Sequence, residues 1–213
     1  MQVQLDFGIS ALGGRFHQSW RYEGPAPRDL VRRWAELVSG DQAGRDQIRL
    51  LSEDVRLLLA SPLGDDEIHA LWRACADFYP ILPVDGEKPE RGRAWLTEIL
   101  EEIRPWVTET PAQHTGGVKS TESATSTIAS LAAGLAPRTE MPLEPLPVQA
   151  VAAAVQHCAA AASAPLAFRC LLHAYSAYYS PVRSSAWRSF EELNHSFGYG
   201  EFMLSTIEYL REE

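Results

Sequence analysis

Four stretches between Asp29 and Arg104 repeat their apolar residues three and four positions apart. This spacing constrains the fold more than any other feature of the chain, because only a helix gathers such positions onto one face. The first predicted helix runs from Asp29, as its cap, to about Ser39, with Leu30, Trp34, Leu37 and Val38 inward and Gly40 as its stop. The second spans about Asp41 to Ala60. Ile48, Leu51, Val55, Leu58 and Leu59 form its stripe, and Arg49, Glu53, Asp54 and Arg56 are expected in water. The third begins near Asp65 and carries Ile68, Leu71, Trp72 and Cys75. The fourth, from about Glu90 to Arg104, turns Trp95, Leu96, Ile99, Leu100 and Ile103 inward. Pro80, Pro83, Gly86 and Pro89 mark a loop between the last two. Val3 to Phe7 alternates, as a short strand or an extended arm would.

The predicted class is therefore all-α, with residues 1–106 as a four-helix bundle-like module. Residues 107–145 are rich in Ser, Thr, Gly, Ala and Pro, and read as a flexible linker in which a short helix over Ile128–Leu135 fits. Residues 146–213 return to helical spacing as a second small module, through Val148–Ala162, Leu166–Tyr179, the Trp187, Phe190, Leu193, Phe197 series and a last helix over Glu201–Arg211. Gly198-Tyr199-Gly200 reads as a helix-joining turn.

The 213 residues carry 19 basic and 28 acidic side chains, a formal net charge of −9, with the first 106 residues holding −5 of it. Such a surface repels nucleic acid and anionic lipid and favours basic partners. No apolar run reaches the roughly 18 residues of a membrane span, and the N-terminus lacks a signal-peptide pattern, so a cytoplasmic protein is expected. Its three cysteines, Cys75, Cys158 and Cys170, are then expected reduced and buried.

Motifs for covalent or phosphate chemistry are missing: no Walker loop, dinucleotide fingerprint, nucleophile elbow or His-Glu-x-x-His helix occurs. No catalytic set and no cofactor are expected. The one weak metal candidate is His157, Cys158, Cys170 and His173, where the Cys-x-x-His pair shares a helix face but the adjacent His157 and Cys158 point about 100° apart. Both cysteines fit equally as small core residues. Phe16 and Trp20 are expected to anchor the N-terminal arm, leaving His17 and Gln18 to bond a helix end or a partner. Asp65, Asp66 and Glu67 suit a helix N-terminus, and Glu98, Glu101 and Glu102 a wet face.

Phe16-His17-Gln18-Ser19-Trp20, Leu57-Leu58-Leu59, Phe78-Tyr79-Pro80 and Trp95-Leu96-x-x-Ile99, in this order, resemble the immunity proteins of bacterial contact-dependent growth inhibition systems. The resemblance covers about residues 7–106. It implies a cytoplasmic, non-enzymatic, all-helical protein that binds a toxin domain and occludes its active site or substrate path. That family often has an acidic residue where Ser19 stands. Many such toxins are basic nucleases, to which an acidic protein is complementary. The residues expected to face the toxin are His17, Gln18, Asp65, Asp66, Glu67, Tyr79, Glu98, Glu101 and Glu102. The competing readings are a helical adaptor of a secretion or defence locus and, behind it, a metal-dependent protein built on the Cys/His group.

Overall fold

A computed structural model describes residues 5–17, 19–22, 24–77, 91–107, 121–138 and 146–212. These residues form an all-α structure. In chain order the helices are α1 (Gly8–Gly13), α2 (Pro27–Val38), α3 (Gln42–Ala60), α4 (Asp65–Cys75), α5 (Gly92–Ile103), α6 (Glu122–Ala133), α7 (Val148–Ala161), α8 (Ala164–Ala177), α9 (Ser184–Ser196) and α10 (Ser205–Glu208). Single 3-10 turns follow at Trp20–Tyr22, Arg104–Trp106 and Glu201–Leu204. Extended pairing among the described residues is limited to one isolated bridge between Val182 and Arg211.

Local chemistry sets the helix starts. Asp41 caps α3 by accepting from the Gly44 amide at 2.8 Å, and Ser163 caps α8 through the Leu166 amide at 3.3 Å. Asp29 acts from inside α2 instead of preceding it. Pro27 occupies the first turn, and the Asp29 carboxylate reaches back to the Ala26 amide at 3.0 Å. At the other end of α3, the Arg93 guanidinium collects the carbonyls of Leu59, Ser61 and Leu63 at 2.5–2.8 Å. Ser61 already donates to the Leu58 carbonyl from its hydroxyl at 2.6 Å, and a side chain of α5 thereby closes carbonyls that remain.

Helix α4 lies at the centre, packed against α1 and α5 on one side and α7 and α8 on the other. One continuous buried cluster runs from Phe7 to Leu210. The linker expected over 107–145 contains an ordered element in its described part. Thr121 caps α6 through the Ala124 amide at 3.1 Å, and α6 packs on α7 and α8. Ala124, Ile128, Leu131 and Ala132 repeat at helical spacing and are buried, whereas Ser123 and Ser130 face out. The short helix expected over Ile128–Leu135 thus starts earlier, at Glu122, where small and polar residues give a weak hydropathy signal.

Three further expectations are corrected. Leu37 is 74% exposed, and α2 instead buries Val31 and Ala35 beside Leu30 and Trp34. Asp54 is 5% exposed, not in water, because α8 brings it an arginine. The predicted final helix over Glu201–Arg211 is broken into a 3-10 turn and the short α10. Of the stretch expected as a short strand or an extended arm, Val3 and Gln4 lie outside the described residues, and Leu5 to Phe7 form no strand before α1 begins at Gly8.

Candidate functional site

The two ends of the resemblance meet in space. Phe16 and Trp20 are both 1% exposed, and their rings lie 5.6 Å apart. Phe16 also sits edge-on to Trp72 at 5.1 Å and to Trp95 at 6.1 Å. Edge-to-face aromatic packing of this kind adds about 0.5–1.5 kcal/mol per pair beyond area burial. His17 stays exposed at the rim, its Nδ1 accepting from the Ser19 amide at 3.1 Å. Gln18, Tyr79 and the Pro80–Pro89 loop lie outside the described residues.

The acidic candidates divide into two groups. Asp65, Asp66 and Glu67 form the first turn of α4, where carboxylates complement the helix dipole. Asp66 pairs with Arg91, and Asp65 accepts from the Arg93 amide at 3.3 Å. Glu67 accepts from the Gly64 amide and pairs with His157 Nδ1, both at 2.8 Å. Burial opposes ionisation of Glu67, but the Gly64 and His157 contacts prevail and hold its pKa below the ordinary value. On α5, Glu102 pairs with Arg32 at 2.7 Å and Glu101 approaches Arg104 at 3.9 Å, while Glu98 stands in solvent. Exposed pairs of this type hold side chains in place more than they stabilise the fold.

The Cys/His candidates do not converge. His157 turns to Glu67 on α4, and His173 turns to Asp6 at 2.8 Å. All three cysteines are buried and free. Contact with Cys170, followed by burial, pushes the Cys75 thiol well up, and burial does the same to Cys158. The Cys75 and Cys158 thiols are therefore weak nucleophiles and poor ligands. Among the described residues no group of three His, Cys, Asp or Glu is placed to hold a metal ion.

The densest polar constellation was not legible in the sequence. Arg169, on α8, is 2% exposed. Its guanidinium makes a two-pronged bond to Asp54 on α3, at 2.7 and 2.9 Å. It also donates to the Phe7 carbonyl at 2.6 Å and to Ser10 Oγ at 3.2 Å, and lies 3.9 Å over the Phe7 ring. The Ile9 amide donates to Asp54 at 3.0 Å. Gly8 makes this approach, with φ of +67° and room for no side chain: a Cβ would stand 1.8 Å from Asp54 Oδ2. Ser10 Oγ donates to Asp6 Oδ1 at 2.7 Å, and His173 Nε2 meets the other oxygen of Asp6. Burial opposes charge on both His173 and Asp6, yet their mutual hydrogen bond and charge raise the His173 pKa and lower that of Asp6. Ser10, Asp6 and His173 have the residue types of a hydrolytic triad in the wrong order. The carboxylate stands between hydroxyl and imidazole, so the imidazole does not take the Ser10 proton. The network fastens α1 to α3 and α8.

Open grooves lined by described residues accompany this closed interior. One, of about 370 Å³, runs between α3 and α5 past Ser52, Arg56, Thr97 and Arg104. Another, of about 260 Å³, lies between α9 and the 201–208 segment.

Comparison with known proteins adds no relative: no family model, no curated protein and no solved structure matches the chain.

Proposed function

We propose that the protein is an immunity protein, which binds a basic bacterial toxin domain and blocks its active site or substrate path without turnover. The observation that carries this reading is the joining of the resemblance's two ends. Phe16 packs against both Trp20 and Trp95 in one aromatic cluster, which makes the first and last of the short phrases parts of one packing unit. The charge of −9 supports a basic partner, because opposite potentials speed encounter and disfavour wrong pairs. Asp65 and Asp66, with side chains 63% and 84% exposed, keep much of their surface open to such a partner despite their arginine contacts.

The test is co-expression with the toxin domain encoded beside this chain, scored by growth and by co-purification. Growth rescue with a stable complex is the expected result. Rescue without a complex would replace blockade by an enzymatic or indirect protection, and neither rescue nor complex would overturn the reading.

A further inference from the structure

We propose that the groove between α9 and the 201–208 segment is a binding site for an arginine side chain of a basic partner protein. The proposal rests on the reading that this chain binds such a partner, and it names a contact surface in residues 146–213, which the resemblance does not reach.

The groove is lined by Trp187, Glu191, Asn194, His195, Glu201 and Glu208, among others, and no lysine or arginine lines it. Its volume of about 260 Å³ falls just below the roughly 300–1,000 Å³ of small-molecule sites and suits one long side chain. Three of the six carboxylate side chains of residues 146–213 gather at this one place.

Asn194 supplies the second, independent sign of a ligand. It is only 8% exposed, and its Nδ2 donates to the carbonyls of Gly200 at 3.1 Å and Tyr199 at 3.5 Å. Those bonds fix which way the amide faces. They leave Oδ1 as a buried acceptor with no partner among the described residues. Buried acceptors without donors are rare in folded proteins and call for an explanation. A donor entering the groove provides one.

The ligand's chemistry follows from the lining. The lining's three carboxylates and the Asn194 oxygen are acceptors, while Trp187, Tyr199 and Ser205 already donate within the chain, so the lining favours a positively charged guest rich in donors. These acidic groups are not drawn together closely enough to ring a single ion. A guanidinium spreads five N–H donors over a plane and reaches separated acceptors at once, which an ammonium does less well. Glu191 is already oriented, since Trp187 Nε1 donates to it at 2.7 Å. The same indole accepts a guanidinium from this chain, with Arg211 stacked 4.3 Å over its ring.

The probe is the full-length protein titrated with acetyl-Gly-Arg-Arg-Gly-amide, and with the same peptide carrying citrulline for arginine. Binding is followed by NMR at the Trp187 indole N–H and the Asn194 side-chain amide. The arginine peptide is expected to shift both signals and the citrulline peptide neither. E201Q/E208Q is expected to weaken binding on the order of tenfold, the loss of about one charge-assisted hydrogen bond. The control E36Q/E122Q removes the same charge from exposed sites elsewhere and is expected to change affinity by less than about twofold, a screened long-range effect. No shift at the groove, equal weakening by the two double variants, or equal binding of the citrulline peptide would overturn the proposal. Co-expression separates the two readings. Toxin rescue by wild type with no peptide binding removes the groove and leaves immunity standing. Peptide binding at the groove with no toxin rescue or complex removes immunity and leaves an arginine site.

Discussion

Arg169→Met is expected to destabilise the protein by about 3–5 kcal/mol, the range for removing one member of a buried ion pair. The magnitude follows from what the guanidinium holds. The side chains of Arg169 and Asp54 are 3% and 7% exposed, so water cannot replace the lost contacts without opening the core. Asp54 would keep only the Ile9 amide, and the Phe7 carbonyl would lose its 2.6 Å donor. For a chain of this length the midpoint of thermal unfolding would fall by about 6–20 °C. The double variant D54L/R169M tests the cause. Replacing both charges removes the orphaned carboxylate, yet the Ile9 amide lacks its acceptor and the Phe7 carbonyl keeps only Ser10 Oγ, at 2.9 Å, so a deficit of about 1–3 kcal/mol is expected to remain. The double variant should thus lie well above the sum of the single ones. Urea unfolding of wild type, R169M, D54L and the double variant measures this. Hydrogen exchange at the Ile9 amide reports whether α1 detaches first. A loss below about 1 kcal/mol in R169M, or simple additivity of the two sites, would refute the claim that this pair fastens α1 to the bundle.

Three other outcomes are expected. Gly8→Ala should cost more than Gly198→Ala in chemical denaturation, since both have positive φ but only Gly8 would also drive a Cβ into Asp54, with Gly198 open to space; roughly 2 kcal/mol or more against about 1 is expected, and equal losses would remove the steric part. The His173 and Asp6 pair should shape the pH profile of stability from both sides. The raised His173 pKa contributes stability fully present below its ordinary 6.5 and lost as pH rises through the higher folded value. The lowered Asp6 pKa contributes stability present above its ordinary 3.8 and lost as pH falls through the lower folded value. His173→Gln should flatten the alkaline side, and an unchanged slope there would assign the slope to another group. If acidic surface steers a basic toxin, raising ionic strength should slow association far more than it speeds dissociation in stopped-flow measurements, and a salt-indifferent on-rate would end the steering argument.

Periodicity alone was enough to place most of the helices, because an amphipathic stripe is a local property. The Leu30/Trp34, Ile48/Leu51/Val55 and Trp95/Leu96/Ile99 series were legible for that reason, as was Trp187/Phe190/Leu193. Where small residues diluted the stripe, as in the first turns of α6, the same rule placed only the later part, from Ile128. Charge has no such local signature. Asp54 reads as a wet residue on an exposed face until α8 sets Arg169 against it, a pairing across 115 positions. Asp6 and His173 meet across 167 positions, and His157 leaves the cysteines for Glu67 because α7 crosses the start of α4. The groove's Glu191, Glu201 and Glu208 are likewise ordinary surface acids in the sequence. The chain's own composition determined an acidic helical protein, since burying apolar stripes needs only the correct spacing. Which polar groups are buried, paired or left waiting for a donor was decided by tertiary packing, because a charge's environment is set by whatever distant element is packed against it.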